Sequence, residues 1–221
     1  MLAAADYPAL RADQAERRRA GDPRPIGIGL ACYNHMTVGG GGEEAAITLL
    51  AGGRARVVTG STDQGHGHAL TWAQIASDVT GIDWRHIEVV EGSTAMIGSG
   101  VGAVGSRSAQ TAGLAVHRSG LRLVAEATEL AAALLEAAPG DMVFTTEGGG
   151  RFHVRGTPAR AVGWAEVAAA RAGEGAQELS CGEFYDVEGA NSFPSGAHLA
   201  VASSTATNRS TRTPPVSVST T

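Results

Sequence analysis

Glycines and polar side chains are concentrated in one short segment of the chain, residues 60–68, which reads GSTDQGHGH. An alternating pattern predicts a strand before this segment, and an apolar stripe predicts a helix after it that ends at Gly81. A loop between a strand and a helix aims backbone N–H groups and the positive helix end at one point, which suits an anionic ligand. The candidate contacts are Gln64, Gly65, His66, Gly67 and His68.

A second glycine-rich segment, residues 98–108, begins about forty residues further on and opens a long predicted helix. One apolar stripe of that helix contains Leu123, Ala127, Leu130 and Leu134, and Pro139-Gly140 is expected to stop it. Two such segments at helix starts predict one extended anionic cofactor held between them. The candidate contacts here are Gly105, Ser106, Arg107 and Ser108.

The order of these motifs resembles the xanthine dehydrogenase family, and within it the molybdenum-binding large subunit of aerobic carbon monoxide dehydrogenase-type enzymes. The resemblance extends from about Ala5 to Val201. It is carried by the GxGH loop, Ala73-Gln74-Ile75, Gly81-Ile82, Val89-Val90, Gly92 and Gly105-Ser106-Arg107-Ser108. Either glycine loop alone is a weak signal, whereas their ordered combination is specific.

The resemblance implies a molybdenum pterin cofactor, molybdopterin, with its cytosine dinucleotide form as an option. The pterin dithiolene supplies the sulfur ligands in such proteins, so neither a protein metal ligand nor a catalytic residue is predicted in this chain. Its nine candidate residues are expected to bind the cofactor. The chain would be a segment of an oxidoreductase of the carbon monoxide, xanthine or aldehyde dehydrogenase type. Its expected partners are the rest of the large subunit, an iron–sulfur small subunit and a flavin medium subunit.

Four positions depart from the family pattern. His66 stands where the pattern has glutamine, Ala69-Leu70 where it has Glu-Thr, and Ser93 where it has Asp. Two alternatives therefore remain open: a remnant that keeps the fold but binds no cofactor, and an unrelated nucleotide- or phosphate-binding module. A zinc site at His66 and His68 is disfavoured because no third ligand is evident. Arg107 could pair with a phosphate or with a neighbouring carboxylate, and the resemblance favours the phosphate.

Composition excludes several functional classes. A net charge of −5 without a basic cluster argues against nucleic acid as a partner. No apolar run approaches the length of a membrane span, and the N-terminus lacks the pattern of a signal peptide. The two cysteines, Cys32 and Cys181, lie far apart, which predicts reduced, buried thiols in a cytoplasmic protein.

Strand and helix patterns interleave in an α+β fold of mixed sheet hairpins with packed helices. Helices are predicted at 8–19 and 161–171 in addition to the two above. The predicted strands are 26–33, 45–50, 54–59, 87–90, 151–154, 179–185 and 198–201. The predicted organisation is a leader helix and linker at 1–25, a partial cofactor-binding domain at 26–202 and a tail at 203–221. Because Ser and Thr make up 11 of its last 20 residues, the chain is expected to end in a disordered or frameshifted tail.

Overall fold

The structure is a computed structural model, and it describes residues 2–3, 5–36, 41–173, 177–186 and 194–205. The chain divides into two compact units. One unit combines Met1–Thr37 with Ser192–Thr221, and the other is Val38–Asn191. The sequence had suggested boundaries after residues 25 and 202; the structure instead groups the strand that begins at residue 26 with the leader helix. The division differs because that strand pairs with a strand near residue 200, and a pairing between such distant segments leaves no local pattern in the sequence.

The first unit contains helix α1 (Tyr7–Arg19) and the antiparallel pair of strands β1 (Ile26–Met36) and β9 (Pro194–Thr205). The side chain of Gln14 is buried and donates through Nε2 to the carbonyl oxygen of Ile26 at 2.9 Å, which fixes α1 against β1. The strand β9 includes the first three residues of the predicted tail, 203–205. Its remainder, 206–221, lies outside the described residues.

A four-stranded sheet with the order β4-β3-β2-β8 forms the centre of the second unit. Its strands are β2 (Glu43–Leu49), β3 (Ala55–Thr59), β4 (Ile87–Glu91) and β8 (Ser180–Tyr185). The antiparallel β2–β3 pairing confirms the predicted hairpin, whereas β3 and β4 pair in parallel. Since parallel strands end at the same edge of a sheet, the two glycine-rich segments that follow β3 and β4 leave the sheet side by side.

Helices α2 (His68–Thr80) and α3 (Ser108–Leu134) pack on this sheet. As predicted, α2 ends at Gly81, which adopts the left-handed φ of 72° and donates its N–H to Ser77 at 2.7 Å. Leu123 and Ala127 are fully buried, but Leu134 is 43% exposed, and α3 ends there, before Pro139. The prediction for Leu134 was wrong because the buried stripe continues through Ala131 and Ala132.

A three-stranded antiparallel sheet completes the second unit: β5 (Met142–Thr145), β6 (Arg151–Val154) and β7 (Thr157–Gly163). Only β6 was predicted, and the predicted helix 161–171 begins instead at Trp164, as α4 (Trp164–Gly173). Phe144, Phe152 and Trp164 form an aromatic cluster with ring centroids 4.8 to 6.0 Å apart. The architecture confirms the α+β class. None of the helices in the described part of the chain has the length and apolar character needed to cross a membrane.

Candidate functional site

A cavity of about 360 Å³ lies where β3 and β4 end. Both connecting segments contribute to its wall, and half of the lining residues are glycines. The lining consists of Gly60, Thr62, Gly92, Thr94, Ile97, Gly98, Ser99, Gly100, Val101 and Gly102. A Cβ atom on Gly92 would lie 2.5 Å from Cγ2 of Thr62, and one on Gly100 would lie 2.7 Å from Oε2 of Glu43. The shape of this wall therefore depends on glycine.

None of the nine residues predicted from the sequence is among those that line the cavity. The predicted residues flank it: 64–68 follow the lining residue Thr62, and 105–108 follow Gly102. The two glycine segments do meet, because Ser61 Oγ donates to Ser108 Oγ at 3.0 Å. The sequence prediction selected the halves of these segments nearest the helices, where glycine and polar residues form recognisable motifs, whereas the cavity is lined by the other halves.

Glu91, the last residue of β4, braces the first glycine segment against helix α2. Its Oε1 accepts the indole N–H of Trp72 at 3.0 Å, and its Oε2 accepts the backbone N–H of Asp63 at 3.1 Å. Because Trp72 is 1% exposed, these contacts connect the loop to the core of the unit. The loop is thus held in place at its base.

The backbone N–H groups of the first glycine loop bind a carboxylate of the chain itself. Oδ1 of Asp63 accepts from Gly65 at 2.9 Å, His66 at 2.7 Å and Gly67 at 3.2 Å. Desolvation by burial opposes ionisation, but these hydrogen bonds lower the pKa of Asp63 below its ordinary value. The expectation that these N–H groups point at an external anion is corrected: Asp63 already occupies that role.

The two histidines of this loop stack on each other. The rings of His66 and His68 have centroids 4.5 Å apart and planes inclined by 13°, and the ring centroids of His68 and Trp72 are 5.0 Å apart. His66 is 48% exposed and its Nδ1 accepts the N–H of Gln64 at 3.2 Å. His68 is buried, and its Nδ1 has no hydrogen-bond partner among the described residues. Asp63 lies beside both rings. The sequence analysis did not select Asp63 as a site residue, although Asp63 precedes His66 by only three residues.

The second glycine segment is organised by a buried ion pair. Nη1 of Arg107 lies 2.7 Å from Oε1 of Glu43, and the side chains are 1% and 0% exposed. The same oxygen accepts the backbone N–H groups of Val101 at 2.8 Å and Gly102 at 2.7 Å, and Nη2 of Arg107 donates to the carbonyl of Gly41. Of the two interpretations of Arg107, the pairing with a carboxylate is the one present. A partner 64 positions away gave no signal in the local pattern.

The remaining predicted residues differ in exposure. Gln64, Gly65, Gly67 and Ser106 are exposed, whereas Gly105 and Ser108 are half-buried. Ser106 has a left-handed φ of 58°, which costs a non-glycine residue conformational energy. A third carboxylate acts nearby, because Oε2 of Glu44 accepts the N–H of Gly98 at 3.0 Å. With Glu91, four carboxylates therefore hold the two glycine segments.

Comparison with known proteins supports the resemblance read from the sequence. The carbon monoxide dehydrogenase large chain of Hydrogenophaga pseudoflava is 34% identical over 181 residues, covering 76% of this chain and 22% of the relative. Subunit gamma of the 6-hydroxypseudooxynicotine dehydrogenase complex of Paenarthrobacter nicotinovorans is 35% identical over 159 residues. This match covers 72% of this chain and 19% of the relative. The chain thus spans about a fifth of the length of these curated relatives.

Solved structures agree. Reconstituted CO dehydrogenase from Oligotropha carboxidovorans superposes with a TM-score of 0.64 and 27% identity, over 91% of this chain and 26% of that one. Quinoline 2-oxidoreductase from Pseudomonas putida 86 superposes with a TM-score of 0.62 and 28% identity, over 91% of this chain and 27% of that one. The model of the molybdopterin cofactor-binding domain matches residues 1–211. The chain therefore belongs to the molybdopterin cofactor-binding domain family.

Proposed function

We propose that this chain binds a molybdenum pterin cofactor at the glycine-lined cavity, as one segment of the large subunit of a molybdenum hydroxylase-type oxidoreductase. The observation that carries the proposal is that two glycine-rich segments, each leading to a helix, line one cavity beside the ends of the parallel strands β3 and β4. This edge is where ligands bind in sheets that contain parallel strands.

The residues present fit such a cofactor in two respects. The glycine wall allows a flat, polar ring system to approach the backbone closely, and Thr62, Thr94 and Ser99 bring hydroxyl groups to the lining. The pterin brings its own sulfur ligands for the metal, so the lining needs no metal-binding side chain. Glu43 and Arg107 do not reach the ligand in this proposal; they hold the second glycine segment in shape.

The cofactor, when bound, supplies molybdenum redox chemistry at an oxo centre. This chain's contribution is to bind and orient the pterin through the lining backbone and hydroxyl groups. Of the nine predicted residues, the eight other than Arg107 flank the lining and remain proposed contacts to the parts of the cofactor that extend beyond the cavity. The cytosine dinucleotide form is part of the proposal, because the extended pair of glycine segments suits a longer ligand.

We further propose that the chain does not turn over substrate by itself. Hydroxylases of this type pass electrons on through iron–sulfur clusters and flavin, whereas the chain has only two cysteines and cannot hold a four-cysteine cluster. The expected partners are the rest of a large subunit, an iron–sulfur subunit and a flavin subunit, in the cytoplasm.

Cofactor binding is tested by producing the chain in a host that makes molybdopterin. Molybdenum is measured by elemental analysis, and the released pterin and its nucleotide by fluorescence and chromatography. Ser99→Trp fills the cavity and should abolish both signals, whereas Gln74→Trp, at an exposed position on α2, should leave them unchanged. Absence of pterin from the wild type, or equal loading of folded Ser99→Trp, would overturn the proposal in favour of a remnant without cofactor. Released pterin without CMP would overturn only the dinucleotide form.

Dependence on partners is tested with the same preparation. Dye reduction is measured with carbon monoxide, purines and aldehydes as electron donors, first for the chain alone. No turnover is expected even where molybdenum is present. Measurable turnover by the chain without added subunits would refute the dependence, while leaving the proposal on cofactor binding untouched.

A further inference from the structure

We propose that Asp63, His66 and His68 form a binding site for a divalent transition-metal ion of the zinc class, separate from any metal carried by a pterin. One ligand atom from each of the three side chains lies within 4.8 Å of the other two. Two imidazoles and one carboxylate are a donor set that suits Zn²⁺, Co²⁺ or Ni²⁺ rather than Mg²⁺ or Ca²⁺. The sequence had disfavoured zinc for want of a third ligand, and Asp63 supplies it.

The first ligand, Asp63, is held in place before any ion arrives. Three backbone N–H groups bind its Oδ1, and a fourth contact fixes its own N–H on Glu91. No hydrogen bond described for this part of the chain involves its Oδ2, which leaves that oxygen as an acceptor for a cation. These contacts hold the carboxylate beside the rings, with Oδ1 3.5 Å from Nδ1 of His66.

The second ligand, His68, has a buried nitrogen without a hydrogen-bond partner among the described residues, and this feature indicates a bound cation. His68 is 8% exposed, and the nitrogen is its Nδ1. A buried polar atom without a partner destabilises the folded state. A cation that accepts its lone pair would remove that destabilisation. The His68 ring lies 5.0 Å from that of Trp72, and one of its nitrogens is within 4.8 Å of the ligand atoms of Asp63 and His66.

The third ligand, His66, must move for the ion to bind. A metal lies in the plane of an imidazole that coordinates it, and rings inclined by only 13° at 4.5 Å share no such point. Tetrahedral zinc with bonds of about 2.0–2.1 Å also brings its ligand atoms to about 3.4 Å from one another. His66 is 48% exposed, so its ring can rotate and close the remaining distance. Metal binding should therefore break the histidine stack.

The inference does not rest on the proposed function, because it is tested on the full chain made in a host that lacks molybdopterin. Zn²⁺ is titrated by calorimetry and Co²⁺ by its visible absorption, whose intensity reports the coordination number. We expect one ion per chain, and imidazole ¹⁵N shifts that move for His66 and His68 together with loss of the stack.

Variants decide which residues bind the ion. His66→Ala and Asp63→Asn change exposed side chains and should each weaken binding by at least about tenfold, since loss of supporting groups alone costs 10- to 100-fold. His86→Ala, an exposed histidine outside the cluster, should bind as the wild type does. No ion bound at one equivalent, or wild-type affinity in folded His66→Ala, overturns the proposal. A shift confined to His86 or to other histidines overturns it as well.

Discussion

Replacing Glu43 by Gln should destabilise the protein far more than its single-atom change suggests. The substitution keeps an oxygen that can accept the N–H groups of Val101 and Gly102, so hydrogen bonding is largely preserved. It removes the charge that faces Arg107, which is 1% exposed and 2.7 Å away. Removing one partner of a buried ion pair leaves the other charge uncompensated, at a cost of about 3–5 kcal/mol.

Two atoms of the ion pair itself bear on the expected loss of stability. Arg107 Nε and Glu43 Oε2 have no hydrogen-bond partner in the described residues, so the pair is already incompletely compensated. A cost of about 3–5 kcal/mol is a large part of the ~5–15 kcal/mol that stabilises a typical domain. Urea unfolding followed by tryptophan fluorescence and circular dichroism measures it. Amide hydrogen exchange at Val101 and Gly102 should be faster in Glu43→Gln than in the wild type.

The matched control is Glu44→Gln, the adjacent residue, whose side chain is only half-buried and holds one N–H, that of Gly98. It should cost less than about 1 kcal/mol. A double variant, Glu43→Gln with Arg107→Met, removes both charges and should be more stable than Glu43→Gln alone. Equal stability of the two single glutamate variants, or a double variant no more stable than Glu43→Gln alone, would refute the assignment of Glu43 and Arg107 as a coupled pair.

Two further outcomes follow from the packing. Gly150→Ala should destabilise the protein by several times more than Gly149→Ala in urea unfolding: both have left-handed φ, but only at Gly150 would a Cβ collide, 2.3 Å from the indole nitrogen of Trp164. Burial raises the pKa of Cys181 to about 12, helped by Glu126. The folded protein therefore keeps a proton that the unfolded chain loses, so the free energy of unfolding should fall as pH rises above about 9. Cys181→Ser should lack that fall if the assignment is right, and Cys32→Ser should retain it.

Local patterns were sufficient where the structure is determined by short-range contacts. The β2–β3 hairpin and the end of α2 at Gly81 were predicted because alternation and a glycine C-cap are visible within a few residues. The strands β5 and β7 were missed because they are short or largely exposed and their pairing with β6 carries no periodic apolar signal. Local pattern also gave no reason to place β1 with β9, 194–205, at the far end of the chain.

The same distinction applies to the site. Glycine loops before helices are recognisable in a sequence, so both segments that line the cavity stood out. Their partners were not, because Glu43 reaches Arg107 across 64 positions and strand order alone decides that contact. Asp63 was within reach of sequence reasoning, since an acidic side chain two to four residues before glycines commonly accepts their N–H groups in a turn.

Two of these carboxylates, Asp63 and Glu43, have a consequence for how the cofactor would be held. The N–H groups of Gly65, His66, Gly67, Val101 and Gly102 all point at side chains of the chain itself. The glycine segments therefore keep their shape without a ligand, and these donors are not available to a phosphate unless a carboxylate moves away. The pterin would then depend on the hydroxyl groups and close backbone approach of the cavity lining, which carries no basic side chain among its described residues. We accordingly expect the isolated chain to retain less than one molybdenum per molecule.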